Sequence, residues 1–222
     1  MSRGGSFDLT DRVAIVTGGY GVLGGSIARG LARAGAIVAV LGRRREEAEK
    51  MAAELREIGR DAIALVADVL DEEQLRSARD ELLERWDRLD ILVNAAGGNV
   101  ARARTDNVPV FGMPMDAFDE VLKLNLHGTV VPSLVFGEVM ASQGTGSIIN
   151  ISSMASEQAL SGVLGYSVAK AGIDNLTRWM ASDLARQCGP GIRVNAVAPG
   201  FFISTQNRAV LVKPDGSYSD RA

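Results

Sequence analysis

The sequence has few of the residues on which disulfide-linked and zinc-binding proteins depend. Its 222 residues include one cysteine, Cys188, and one histidine, His127. A single cysteine cannot form an internal disulfide, and one cysteine with one histidine offers too few ligands for a structural zinc site. We therefore expect neither a disulfide framework nor a metal site.

Excess charge of one sign and long apolar runs are missing as well. The net charge is −3 and no basic block occurs, so the composition predicts no nucleic-acid-binding surface. No run of 18 apolar residues could span a membrane. Residues 1–10 lack the apolar core of a signal peptide. We expect a cytoplasmic protein that binds neither nucleic acid nor membrane.

Short apolar runs alternate with segments of helical periodicity. The predicted strands span residues 12–17, 37–41, 62–66, 90–94, 147–151 and 193–197. The predicted helices span residues 27–34, 48–58, 71–86, 115–142 (broken or kinked near Pro132) and 166–188. This alternation predicts an α/β protein with a single Rossmann-type, doubly wound parallel sheet. Without a linker or repeat, residues 1–222 are predicted to be one domain, in which residues 200–222 form a lid over the substrate.

A glycine-rich turn, residues 18–25, joins the first predicted strand to the first helix. In this context glycines let the backbone approach a pyrophosphate, and the helix N-terminus supplies free N–H groups. Gly19, Gly21 and Gly24 match the dinucleotide fingerprint G-x-G-x-x-G as written. The alternative is a tight strand–helix turn without a ligand.

The end of the second predicted strand bears on the choice of dinucleotide. An acid at this position hydrogen-bonds the ribose 2′-hydroxyl of NAD, whereas arginine accepts the 2′-phosphate of NADP. Here Gly42 is followed by Arg43 and Arg44, and the first acid is Glu46. This favours NADP(H) over NAD(H), unless the arginines only begin a solvated helix.

Tyr166 and Lys170 lie four residues apart in a helical segment, about 40° apart around its axis. A nearby ammonium group favours the phenolate and lowers the pKa of a tyrosine. Such a tyrosine can act as a general acid or base. A pair at this spacing is more often an ordinary helix surface, so the pair alone does not establish catalysis.

A series of motifs in order along the chain resembles those of the short-chain dehydrogenase/reductase family. TGxxxGxG aligns on Thr17, Gly18 and Gly24, with Val22 in place of its middle glycine. The residues from Asn94 to Gly97 are similar to the NNAG element, and Pro199-Gly200 to the PG element. The remaining motifs are the catalytic residues Asn125, Ser153, Tyr166 and Lys170, with Ser153 lying 13 residues before Tyr166.

The resemblance implies a role for each catalytic residue. Tyr166 exchanges a proton with the substrate oxygen, and Ser153 hydrogen-bonds the developing alkoxide. Lys170 lowers the Tyr166 pKa and holds the nicotinamide ribose, and Asn125 holds a water that links Lys170 to solvent. Ser152 is a competing serine at the wrong spacing, and His127 is expected to be an ordinary helix residue.

The resemblance also implies a set of cofactor-binding positions. Asp68 would meet the adenine, and Ile203 and Ser204 the carboxamide end. The full set is Gly18, Gly21, Val22, Leu23, Arg43, Arg44, Asp68, Val69, Asn94, Ala95, Gly97, Tyr166, Lys170, Pro199, Gly200, Ile203 and Ser204.

Within the family the sequence is similar to sugar-acid reductases of the D-mannonate (fructuronate) type. Asn99, Arg102, Arg104 and Arg208 follow predicted carboxyl ends of strands, where an arginine could bind a carboxylate bidentately. They are therefore candidate substrate residues, with solvated loop arginines as the alternative.

Two other functions stay open: a 3-oxoacyl-thioester reductase, and a dinucleotide-binding protein without catalysis. The resemblance implies a homodimer or homotetramer. The family's seventh strand and last helix are expected to be missing.

Overall fold

A parallel sheet of six strands organises the computed structural model, which describes residues 7–105, 109–159, 162–203 and 208–219. The strands are β1 (Val13–Thr17), β2 (Ile37–Gly42), β3 (Ala62–Val66), β4 (Ile91–Asn94), β5 (Gly146–Ile151) and β6 (Ile192–Val197). Their order in the sheet is β3-β2-β1-β4-β5-β6, and each pair is parallel. The predicted doubly wound α/β sheet is confirmed.

Helices connect the strands and cover both faces of the sheet. They are α1 (Val22–Arg33), α2 (Arg45–Ile58), α3 (Glu72–Trp86), α4 (Met115–Leu122), α5 (Gly128–Gln143), α6 (Leu164–Cys188) and the short α7 (Arg208–Leu211). The first two helices pack on one face of the sheet, while α3, α5 and part of α6 pack on the other. Strands buried from both sides need apolar residues at consecutive positions, which is why β1 is apolar from Val13 to Val16 and buried over its whole length.

The helix predicted over residues 115–142 is interrupted, but at a different residue from the one expected. One turn of π-helix, Lys123–His127, separates α4 from α5, whereas Pro132 lies buried inside α5. The Asn125 side chain donates a 2.9 Å hydrogen bond to the carbonyl of Val121. In an α-helix that carbonyl would accept the backbone N–H of residue 125, so this side chain stabilises the wider turn. The prediction of a break near Pro132 was wrong, because α5 continues through that residue, while a kink at Pro132 stays a prediction.

A network of buried side-chain hydrogen bonds joins the middle of the sheet to α5 and α6. Asn94 Nδ2 donates to Ser133 Oγ and to Asn150 Oδ1, both at 2.8 Å, and Asn150 Nδ2 donates to Thr177 Oγ1 at 2.9 Å. Asn94 and Asn150 lie opposite each other in the register of β4 and β5. These bonds pair most of the buried polar atoms of the four side chains, and they connect the carboxyl ends of both strands to α5 and α6. Among the described residues, Asn94 Oδ1 is the one buried polar side-chain atom without a hydrogen-bond partner.

Candidate active site

A cavity of about 530 Å³ lies at the carboxyl ends of the strands, where the strand order reverses between β1 and β4. Ligands of open α/β sheets bind at this reversal point. Thr17, the last residue of β1, ties the two strand ends together. Its Oγ1 accepts hydrogen bonds of 3.1 Å from the backbone N–H groups of Ala95 and Ala96.

The glycine turn forms the floor of the cavity beside β1. Gly18 has φ +63°, a left-handed conformation that favours glycine. A Cβ at Gly24 would lie 3.0 Å from the Gly18 carbonyl carbon, so α1 can pack against the turn only with glycine there. Val22 replaces the family's middle glycine without obstruction, because it is the first residue of α1 and half exposed. The free N–H groups of this first turn face a cavity large enough for a dinucleotide.

Three charged residues, Arg43, Arg44 and Asp68, line the end of the cavity near the carboxyl ends of β2 and β3. Arg43 Nη1 lies 3.5 Å from Asp68 Oδ2, and Arg44 Nη1 lies 2.8 Å from Glu47 Oε1. The Arg44 guanidinium carbon is 4.9 Å from the centroid of the Tyr20 ring. Both guanidinium groups are mostly exposed and are thus available to an anionic ligand at the mouth of the cavity.

Ser153, Tyr166 and Lys170 meet at the other end of the cavity. Lys170 Nζ lies 5.3 Å from the centroid of the Tyr166 ring and donates a 2.6 Å hydrogen bond to the Ile151 carbonyl. Ser153 follows β5 by two residues, and its Oγ accepts from the Ala155 N–H at 3.2 Å. The end of β5 and the first turns of α6 thus bring a hydroxyl, a phenol and an ammonium group onto one wall.

The pKa of Tyr166 moves in the opposite direction from the one expected for an activated tyrosine. Burial raises the pKa of Tyr166 above its ordinary value, and a hydrogen bond with Ser153 acts in the opposite direction. Burial also lowers the pKa of Lys170 to about 8, against a smaller opposing effect of Asp174. At neutral pH Tyr166 is therefore a protonated phenol, ready to donate, and Lys170 is mostly charged.

Asn125 lies in the π-helical turn, fully buried, behind the cavity wall. Its Oδ1 accepts the Gly98 N–H at 3.0 Å, and its Nδ2 donates to the Gly98 carbonyl at 2.8 Å. A Cβ at Gly97 would lie 2.7 Å from Asn125 Oδ1 and 3.8 Å from Lys170 Nζ. Asn125 therefore fixes the loop that passes in front of Lys170.

Most of the predicted cofactor positions line one cavity. These are Gly18, Gly21, Val22, Leu23, Arg43, Arg44, Asp68, Val69, Ala95, Gly97, Tyr166, Lys170, Pro199 and Gly200. Asn94 does not line the cavity, because its side chain is held inside the sheet by hydrogen bonds to Ser133 and Asn150. Ile203 also falls outside the described lining, where Phe202 is found instead, and Ser204 lies outside the described residues.

The predicted substrate residues are not brought together. Asn99 lines the cavity, but the described lining does not include Arg102, Arg104 or Arg208. The Arg102 guanidinium is paired with Asp116 at 2.7 Å and with Glu120 at 3.3 Å, both on α4. A guanidinium engaged by two carboxylates is a poor carboxylate receptor.

Several lining residues were not expected from the sequence: Tyr20, Leu70, Leu124, Ile151 and Phe202. Of these only Tyr20 carried a signal, since a bulky ring inside a glycine turn must find space beside a strand. Among the described residues, no group of three or more acidic, histidine or cysteine side chains could hold a metal ion. No helix in the described part of the chain has both the length and the hydropathy to cross a membrane.

The family model of the short chain dehydrogenases matches residues 12–215. The chain therefore belongs to this family, and it is an oxidoreductase that uses NAD or NADP and acts on alcohol or ketone groups.

Three relatives illustrate the similarity. The uncharacterized oxidoreductase UxuB of Bacillus subtilis is 38% identical over 97% of this chain and 80% of its own length. A crystal structure with bound NAD, provisionally named a D-mannonate oxidoreductase from Haemophilus influenzae, is 37% identical, with a TM-score of 0.88 over 96% of this chain and 79% of that one. A gluconate 5-dehydrogenase from Burkholderia cenocepacia, in complex with NADP and tartrate, is 35% identical, with a TM-score of 0.85 over 95% of this chain and 79% of that one.

Proposed function

We propose that the enzyme interconverts a secondary alcohol and a ketone on a small sugar acid, of the D-mannonate or fructuronate type, and prefers NADP(H). The observation that carries the proposal is the meeting of Ser153, Tyr166 and Lys170 on the wall of a cavity that begins at the glycine turn. One relative is provisionally named a D-mannonate oxidoreductase and another is a gluconate 5-dehydrogenase, and these names support the substrate class.

The cofactor would be held by the glycine turn and the first turn of α1 at its pyrophosphate, and by Tyr166 and Lys170 at its nicotinamide end. When bound, it supplies or accepts the hydride at the substrate carbon. In reduction, Tyr166 donates its hydroxyl proton to the ketone oxygen, and in oxidation its phenolate takes the alcohol proton. Ser153 donates a hydrogen bond to that same oxygen, and the Lys170 charge favours the phenolate left after proton donation.

Asn125 has a positioning role in this proposal. It holds Gly98 through two hydrogen bonds and so keeps the loop after β4 in front of Lys170. The water that the family resemblance assigns to Asn125 stays a prediction, as does a lid formed by residues 200–222. Asn99 is the substrate-binding candidate that lines the cavity. The ion pairs of Arg102 argue against its role in carboxylate binding.

The preference for NADP(H) rests on Arg43 and Arg44 at the far end of the cavity, where Gly42 ends β2 without an acid. One relative binds NAD and another NADP, so the family as a whole uses both.

The test is oxidation of NADPH and NADH by the purified protein with keto-sugar acids, 3-oxoacyl thioesters and simple ketones. Turnover of a keto-sugar acid supports the proposal. Turnover of thioesters alone favours the 3-oxoacyl reductase, and binding of nucleotide without turnover of any compound favours the non-catalytic alternative.

We also propose that the protein is a homo-oligomer located in the cytoplasm. An apolar groove of about 420 Å³ lies between α5 and α6, and Trp179 on its rim is 67% exposed. Exposed apolar surface of this kind is typical of subunit contacts. Native mass spectrometry of wild type and Trp179→Arg, with Phe111→Arg as an exposed control elsewhere, tests this assembly. A monomeric wild type would contradict it.

A further inference from the structure

Tyr20, in the middle of the glycine turn, covers the end of β2. A Cβ added at Gly42 would lie 2.7 Å from both the Cζ and the hydroxyl oxygen of Tyr20, closer than side chains pack. The ring of Tyr20 therefore occupies the space into which any side chain at position 42 would extend. An acid at the end of this strand is what an NAD-binding site uses to hold the ribose 2′-hydroxyl.

The same ring positions the arginine that lines the cavity two residues further on. The Arg44 guanidinium stacks on it with its carbon 4.9 Å from the ring centroid, and the Arg44 N–H donates to the Tyr20 hydroxyl at 3.2 Å. One side chain thus contacts both the backbone and the guanidinium of Arg44. A cation over an aromatic face loses less entropy on binding an anion than a freely rotating side chain does.

We propose that Tyr20 is a specificity-determining residue for the adenosine ribose of the cofactor. Its ring excludes an acidic side chain from the end of β2 and holds Arg44 where a 2′-phosphate can be bound. This inference rests on the proposed preference for NADP(H). It also explains why Gly42 and Arg44 occur together: the Tyr20 ring leaves room only for glycine at position 42, and the same ring contacts Arg44.

The test is a double-mutant cycle with Tyr20→Gly, Gly42→Asp and the double variant. Binding of NADP⁺ and NAD⁺ is measured by isothermal titration calorimetry, and folding by thermal unfolding. Binding of 2′,5′-ADP and 5′-AMP reports the ribose end alone. Tyr20→Gly should weaken NADP⁺ and 2′,5′-ADP by about two- to fivefold, the size of an exposed cation–π contact, and change NAD⁺ little.

Gly42→Asp alone should fail to gain NAD⁺ affinity or should lower the melting temperature, because the new side chain meets the Tyr20 ring. In the double variant that space is open, and NAD⁺ should bind about tenfold or more tightly than it binds to Gly42→Asp alone, as expected for a carboxylate hydrogen bond. If Gly42→Asp is unfolded and the double variant folded, the recovery of folding supports the steric claim.

Two results would overturn the inference. One is an effect of Gly42→Asp that is the same with and without Tyr20, and the other is an unchanged nucleotide preference in Tyr20→Gly. In either case a wild-type enzyme that binds NADP⁺ and reduces a keto-sugar acid leaves the proposed function intact. Failure of the wild type to bind either nucleotide would instead contradict the proposed function itself.

Discussion

The Lys170 ammonium group donates a 2.6 Å hydrogen bond to the backbone carbonyl of Ile151, the last residue of β5. Lys170 is only 4% exposed, and its side chain runs from α6 to the strand end beneath the cavity. The bond ties the helix that bears Tyr166 to the sheet, and it holds the charge close to the phenol ring. Burial removes water from the ammonium group and disfavours its charged form, so the pKa of Lys170 is lowered to about 8.

Lys170→Met should therefore stabilise the protein at neutral pH while removing activity. The pKa of Lys170 rises from about 8 in the folded state to that of a free lysine on unfolding, a difference worth about 3 kcal/mol. At a pH between these two pKa values the lysine is neutral in the folded protein and charged in the unfolded chain, so unfolding takes up a proton. Wild-type stability therefore increases as the pH rises from 8 towards 10. Allowing for the lost bond to Ile151, the variant should gain on the order of 1 kcal/mol at pH 7.

Urea unfolding at pH 7 and pH 10 measures this difference. The advantage of Lys170→Met should shrink at the higher pH, where the wild-type lysine is neutral in the folded state. Lys50→Met, a change of an exposed lysine on α2, is the control. A stability difference that does not depend on pH would contradict burial of the charge.

Tyr166→Phe should lower kcat/KM by about a thousandfold, in the range expected for loss of a general acid. The hydroxyl is the only group removed, and the ring still fills its place beside Lys170, so the Kd for the nucleotide should stay within about threefold. Steady-state kinetics and calorimetry measure the two quantities. Tyr218→Phe, at an exposed site, should leave both unchanged. Appreciable turnover by Tyr166→Phe would refute the proposed catalytic role.

The two directions of the reaction should depend on pH in opposite senses. Burial raises the pKa of Tyr166, so the phenol is protonated across neutral pH and the phenolate is scarce. Alcohol oxidation needs the phenolate, so its kcat/KM should rise between pH 7 and pH 9. Ketone reduction uses the phenol and should fall over this range, because Lys170, whose pKa is about 8, loses the charge that favours the phenolate left after proton donation. An oxidation rate that is independent of pH would show that another group accepts the proton.

Arg43→Ala and Arg44→Ala should each raise the KM for NADPH by about tenfold, the size of one charge-assisted hydrogen bond, with a smaller effect for NADH. Arg45→Ala is the matched control. Arg45 pairs with Glu49 along α2 at 3.4 Å and is not part of the described cavity lining. Equal effects of all three substitutions on both nucleotides would point to general electrostatics instead of a 2′-phosphate site.

Asn150→Ala should destabilise the fold by about 2 kcal/mol, because it removes an acceptor from buried Asn94 and a donor to buried Thr177. The melting temperature by circular dichroism reports the loss. Asn195→Ala, on the exposed side of the neighbouring strand β6, should cost little. Equal losses for the two variants would mean that the buried network adds no stability.

The sheet could be predicted because its strands are short, apolar and regularly spaced between helices. The grouping of Ser153, Tyr166 and Lys170 could be predicted because helical spacing and a motif place them on adjacent elements. The π-helical turn at Asn125 could not be predicted, because it depends on hydrogen bonds from one side chain to the carbonyls of Gly98, distant in the chain, and of Val121. Neither could the ion pairs of Arg102 with α4, since the sequence shows which residues are charged but not which charges meet.

The π-helical turn Lys123–His127 accommodates about one extra residue between two helices that otherwise form one rod. In a plain α-helix one inserted residue would rotate every later side chain by about 100°. The wide turn absorbs the residue locally, so α5 keeps the Ser133 contact with Asn94 and the packing of Phe136. Deleting Asn125 should therefore let the rod close into a continuous α-helix with these α5 contacts intact, while the two hydrogen bonds that hold Gly98 are lost.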